Sequence, residues 1–199
     1  MKYQLISKQL IDLRNEDLKL RDELIRTGQL GNGYNKEMAK VHNRNAELLD
    51  DIIEKIGYPT VEKVGSEGSE AAWLIIQHAI GKPIFMKRNL KLLERAVNEN
   101  KANPKNLAYL SDRIAVLEGT PQLYGTQFDW DDNNKMSPQL LDDIIKVDQR
   151  RKVIGFNTLK EQTDIMRAQA SKENELPPSD IEKRKREIEV WKKSVGWIA

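Results

Sequence analysis

A chain of 199 residues with 39% apolar and 32% charged side chains is long enough to bury a core and polar enough to leave broad solvated faces. Its net charge of +2 gives no bulk attraction to nucleic acid or to an anionic membrane, so neither is expected as a partner. The absence of cysteine excludes disulfides, thiolate chemistry and cysteine-rich zinc sites.

Apolar residues recur at helical spacing through most of the chain, which argues for order. No stretch has the length of a membrane span. The opening Met-Lys-Tyr-Gln-Leu-Ile-Ser-Lys has no apolar signal core. The expected location is therefore the cytoplasm.

Residues 3 to 27 read as a first helix, with Ile6, Leu10, Leu13, Leu20 and Leu24 on one stripe and Asp17 interrupting it. Gly28, Gly31, Asn32 and Gly33 predict a loop. A second helix covers 35 to 56 on Met38, Val41, Leu48, Leu49, Ile52 and Ile56. Asn45 falls inside that stripe and His42 lies on the neighbouring line. Gly57, Tyr58 and Pro59 mark its stop.

Glycine and serine density predicts a loop over 60 to 68, with Thr60 to Val64 as a possible extended piece. A third helix follows over 69 to 80. Its run Ala71-Ala72-Trp73-Leu74-Ile75-Ile76-Gln77-His78-Ala79-Ile80 is apolar nearly all round, the signature of a buried helix. Pro83 opens a fourth helix to 99, and Asn103-Pro104 opens a fifth that Gly119 ends.

Residues 119 to 136 read as a turn and surface loop, with Gln122 to Phe128 as a second possible extended piece. Ser137-Pro138 predicts the start of a sixth helix carrying Leu140, Leu141, Ile144, Ile145 and Val147. Thr158 with Glu161 is a capping box for a seventh helix to 172, and Ser179 with Glu182 for an eighth to 194. The fold class is all-α, a single irregular bundle of about seven or eight helices with a turn region at 119 to 136. Residues 1 to 172 form the main domain, and 173 to 199 a linker and a charged helix. The run Glu182-Lys183-Arg184-Lys185-Arg186-Glu187 reads as a solvated face.

Three residues sit where helical spacing predicts burial but chemistry resists it: Asp17, Asn45 and His78. An unpaired buried polar group costs a few kcal/mol, about 1–3 in mutational data. Such residues therefore meet one another or face a cleft. Asp112 and Arg113 border the core face of the fifth helix, and Gln122, Tyr124 and Gln127 follow it closely. Convergence of these residues on one polar pocket is the expectation. Each also has a plainer reading. His78 can be a satisfied core histidine, Asn45 a helix bridge, Asp17 a partner of Arg14 or Arg21, and Gln122 and Gln127 supports for turn backbone.

Segments 71 to 79, Leu107-Ala108-Tyr109-Leu110-Ser111-Asp112-Arg113 and Glu118-Gly119-Thr120-Pro121-Gln122-Leu123-Tyr124-Gly125-Thr126-Gln127 resemble an uncharacterised bacterial domain-of-unknown-function family. A weaker likeness extends to Glu16-Asp17, Arg21, His42, Asn45, Asp148, Arg151 and Gly155. The resemblance implies no activity.

The readings that follow are three. In the first, the pocket holds a small polar ligand or a peptide through Asp17, Asn45, Arg113, Gln122, Tyr124 and Gln127. In the second, the protein is a hydrolase or transferase with His78 as general acid–base and Asp17 or Asp112 orienting it. In the third, the polar residues only fix helix register. The chain has no His-Glu-x-x-His, no calcium loop, no His-Asp pair, no phosphate-binding glycine loop and no Gly-x-Ser-x-Gly. No metal and no cofactor is expected.

Overall fold

The computed structural model describes residues 2–29 and 34–199; Gly31, Asn32 and Gly33 of the expected loop lie outside them. The chain forms two compact units, Met1–Asn103 and Pro104–Ala199. Among the described residues it is a mostly helical protein with one small two-stranded sheet. No helix among them is long and apolar enough to cross a membrane.

The first unit holds α1 (Gln4–Arg26), α2 (Lys36–Ile56), α3 (Val61–His78) and α4 (Pro83–Asn98). On α1 the buried residues are Ser7, Leu10, Leu13, Asp17 and Leu24, a stripe one residue in three or four. Asn35 caps α2 by accepting from the backbone N–H of Glu37 and Met38. Leu10, Leu49, Ile76, Met86 and Leu93 are completely excluded from water. Each such side chain contributes about 1.5–3 kcal/mol of burial.

Residues 61 to 68 correct the expected loop over 60 to 68: they are helical, with a kink at Gly65, whose φ of 74° a side chain would strain. The glycines that suggested a loop serve close packing instead. A β-carbon on Gly68 would fall 2.6 Å from Ser7 Oγ and 3.3 Å from Ser7 Cα, so α1 and α3 approach through that gap. Ser7 Oγ also donates to Val64 O at 2.6 Å, taking up a carbonyl freed at the kink. In the apolar half of α3, Ala71, Ala72, Ile75, Ile76 and Gln77 are buried, whereas Trp73 and Leu74 are half-buried.

The second unit holds α5 (Pro104–Glu118), β1 (Phe128–Trp130), β2 (Met136–Pro138), α6 (Ile144–Val153), α7 (Leu159–Lys172) and α8 (Ile181–Val195). β1 and β2 pair antiparallel, Asp129 opposite Ser137. Ser137-Pro138 therefore ends a strand and does not open a helix. The helix starts at Ile144, where Asp143 accepts from Lys146 N–H at 3.1 Å. On this helix Ile144 and Ile145 are exposed, while Val147 is buried.

The Thr158–Glu161 capping box forms as expected. At α8 the cap is Asp180, accepting from Lys183 N–H at 2.7 Å, and not the expected Ser179. Arg184 reaches Asp129 at 2.7 Å, Lys192 donates to Val116 O at 2.6 Å and Trp197 is buried. The charged helix is thus docked within the second unit on part of its length.

Candidate functional site

In the first unit, three helices bring one carboxylate and both histidines of the chain together. Asp17 projects from the buried stripe of α1 and is 1% exposed. His42 comes from the α2 stripe of Met38, His42, Asn45, Leu49 and Ile52. His78 is the last residue of α3.

Asp17 Oδ1 lies 3.1 Å from His42 Nε2, and Asp17 Oδ2 lies 2.6 Å from His78 Nδ1. The two rings are tilted, with centroids 5.0 Å apart. Tyr34 Oη is 2.7 Å from His42 Nδ1, and the Tyr34 ring stacks on His42. The His42 side chain is nearly enclosed, whereas that of His78 is 20% exposed.

Burial pushes the Asp17 carboxyl up, but hydrogen bonds from His42 and His78 and attraction to those rings outweigh it, so the group sits below the usual carboxylate range. It is therefore ionised and can only accept. Both ring nitrogens facing it must carry the hydrogen. When His42 is neutral, its Nδ1 then accepts from the Tyr34 hydroxyl. When His78 is neutral, its Nε2 bears the lone pair. Burial, with the nearby Asp17 charge, pushes the Tyr34 phenol up, so it stays protonated.

Asn45 lies one turn along α2 and has a different task. Its Nδ2 donates to Leu13 O at 3.1 Å, and its Oδ1 accepts from Arg44 at 3.1 Å and 3.3 Å. It ties α2 to α1 beside the cluster.

The remaining sequence candidates belong to the second unit and are organised around the turn at 122 to 127. Asp112 Oδ1 accepts from Leu123 N–H at 2.8 Å and Tyr124 N–H at 3.1 Å, and its Oδ2 from Thr126 N–H at 2.9 Å. Gln122 donates through Nε2 to Gln127 O and Gln139 O, and accepts through Oε1 from Gln127 N–H at 2.7 Å. Gln127 Nε2 donates to Thr126 Oγ1.

Arg151, 2% exposed, donates to Tyr124 O at 2.8 Å, to Asn157 O at 2.6 Å and to Asn157 Oδ1 at 2.8 Å, its guanidinium 5.1 Å from the centre of the Phe156 ring. Tyr124 and Arg113 are half-buried. Burial pushes the Tyr124 phenol up, with the Asp112 charge adding to it, and burial pushes the Arg113 guanidinium down. Asp112 and Gln122 thus spend their bonds on loop backbone, and Arg151 all of its own but the one to Asn157 Oδ1.

The carboxylate that orients His78 is Asp17, while both oxygens of Asp112 are taken up by turn N–H groups. His42 and Tyr34 complete the cluster and were outside the residues assigned to the site from sequence. The spacing that picked out Asn45 applies equally to His42 at its own turn of α2. Tyr34 precedes the helix and has no periodic signal. The ligand-type atoms of Asp17, His42 and His78 all lie within 4.8 Å of one another, so the cluster has a donor set that a metal could use although no sequence motif announced one.

A model of a family of unknown function, DUF6624, matches residues 6–171. The comparison with curated proteins and the comparison with solved structures each found no match.

Proposed function

The chain belongs to DUF6624, a family of unknown function, and we propose that its working centre is the His78–Asp17–His42 cluster, with His78 as general acid–base in hydrolysis of, or group transfer to, a small polar substrate. The observation that carries this is the 2.6 Å bond between His78 Nδ1 and Asp17 Oδ2 at a side chain still 20% exposed. A carboxylate on Nδ1–H fixes the tautomer, aims Nε2 outward as the base and stabilises the imidazolium once formed.

The proton comes from a substrate hydroxyl or a water onto His78 Nε2, and returns to the leaving group. Asp17 keeps its negative charge throughout, because its carboxyl sits below the usual range. His42 occupies the second oxygen of Asp17 and so fixes the carboxylate plane. Tyr34 fixes His42 in turn.

A thermal-shift screen over nucleotides, sugars, amino acids and short peptides, followed by turnover assays on the hits, tests this reading. A His78→Gln variant should keep its fold and lose turnover by about 100-fold or more. Turnover of a hit by His78→Gln at the wild-type rate would sink the acid–base reading. A hit that binds without turnover in either protein would leave only the binding site for a small polar ligand.

A further inference from the structure

We infer that Asp17, His42 and His78 also bind a single divalent transition metal of the imidazole-favouring kind, such as Zn2+ or Co2+. Two imidazoles and one carboxylate from α1, α2 and α3 have ligand atoms within 4.8 Å of one another. That donor set suits these ions, and three protein ligands leave room for water or another exogenous ligand. The set is buried, with Asp17 and His42 at 1% and 8% exposure, and approachable from the side of His78. A metal-bound histidine needs a partner on its other nitrogen, and His42 Nδ1 has Tyr34 Oη at 2.7 Å.

The protons balance without any leaving the protein. In the metal-free state His42 Nε2–H and His78 Nδ1–H point at the Asp17 carboxylate. On binding, each neutral ring shifts its hydrogen to the opposite nitrogen. His42 then donates Nδ1–H to the Tyr34 oxygen, whose hydroxyl rotates to accept. His78 carries its hydrogen on Nε2. The freed lone pairs of His42 Nε2 and His78 Nδ1, with an Asp17 oxygen, face the ion. A metal-loaded His78 thereby loses the basic Nε2 that the acid–base reading uses, so metal uptake switches that chemistry off. The inference shares these side chains with the proposed function but does not depend on turnover.

The test uses the untagged full chain, stripped with chelator and dialysed. The chain has only two histidines and no cysteine, so any imidazole-bound metal reports on this cluster. Calorimetric titration with Zn2+ alone should show one saturable equivalent. Co2+ should give a visible absorption band with nitrogen and oxygen ligation. Asp17→Asn and His78→Gln should each abolish both, and Tyr34→Phe should weaken binding by about 10-fold. Circular dichroism checks that each variant is folded. If one is not, broadening of both histidine ring signals by Co2+ in the wild-type protein serves instead. Absence of saturable binding by the wild-type chain, or binding unchanged by these substitutions, overturns the inference. His78-dependent turnover in the metal-free protein would still support the acid–base reading in that case, so the two can fail separately.

Discussion

Two buried aspartates, one in each unit, show how partners decide what a carboxylate is for. Asp17 and Asp112 are equally withdrawn from solvent, at 1% and 0% exposure. Asp17 meets two imidazoles, and Asp112 meets the backbone N–H groups of a turn. An imidazole can exchange donor for acceptor by moving one hydrogen between its nitrogens, and it can take a second proton. A peptide N–H can only donate. The first environment is therefore switchable and the second is fixed, although both satisfy a buried charge.

Asparagine substitution separates the two most strongly. Asp112→Asn turns an amide NH2 toward peptide N–H donors that have no alternative, and should cost about 3 kcal/mol in chemical denaturation. Asp17→Asn turns the same NH2 toward a ring that can become an acceptor, and should cost about 1 kcal/mol. Equal losses at the two positions would break the comparison.

The pH dependence should differ in sign. The folded-state carboxyl of Asp17 lies below its unfolded value, despite burial, because of His42 and His78. Its stabilisation is present above an unfolded pKa of about 4 and is lost as pH falls through the folded value. In chelator-treated protein, the stability gap between wild type and Asp17→Asn should thus narrow on acidification below about pH 4. Burial raises Asp112, with the N–H bonds of Thr126, Leu123 and Tyr124 offsetting only part of it. Its stabilisation of the fold is fully present below about pH 4 and fades as pH rises through the folded value. Denaturation midpoints of both variants across acidic pH check the two slopes.

An effect as small as that of Asp17→Asn concerns the turn that Asp112 holds. Gly125 has a φ of 62°, and an added β-carbon would fall 2.6 Å from Leu159 Cδ1. Leu159 Cδ1 and Leu141 Cδ2, the latter 3.1 Å from the same point, are the ends of flexible side chains that can give way, so Gly125→Ala should cost about 1 kcal/mol. Melting with unchanged metal binding would keep the effect in the second unit.

Much of this was legible in the residues. Helical periodicity placed Asp17 and Asn45 in buried stripes and His78 on a buried helix, and Thr158 with Glu161 announced its cap. What periodicity could not supply was the partner of each polar group, which depends on three helices meeting. Asp112 and Asp17 looked alike as candidates to orient His78; only packing shows that one serves a turn and the other the ring. Tyr34 precedes α2 outside any pattern. Gly65 and Gly68 misled because glycine marks a loop and a close helix contact with the same letter. Ser137-Pro138 misled because a proline that can begin a helix can also end a short edge strand.

The central claim is that Asp17 receives a hydrogen from each ring. Long-range proton–nitrogen NMR of the two histidines, in metal-free protein with both rings neutral, reads it directly. The account predicts His78 with its hydrogen on Nδ1 and His42 with its hydrogen on Nε2. A neutral His78 protonated on Nε2, with Nδ1 bare beside Asp17, would contradict it.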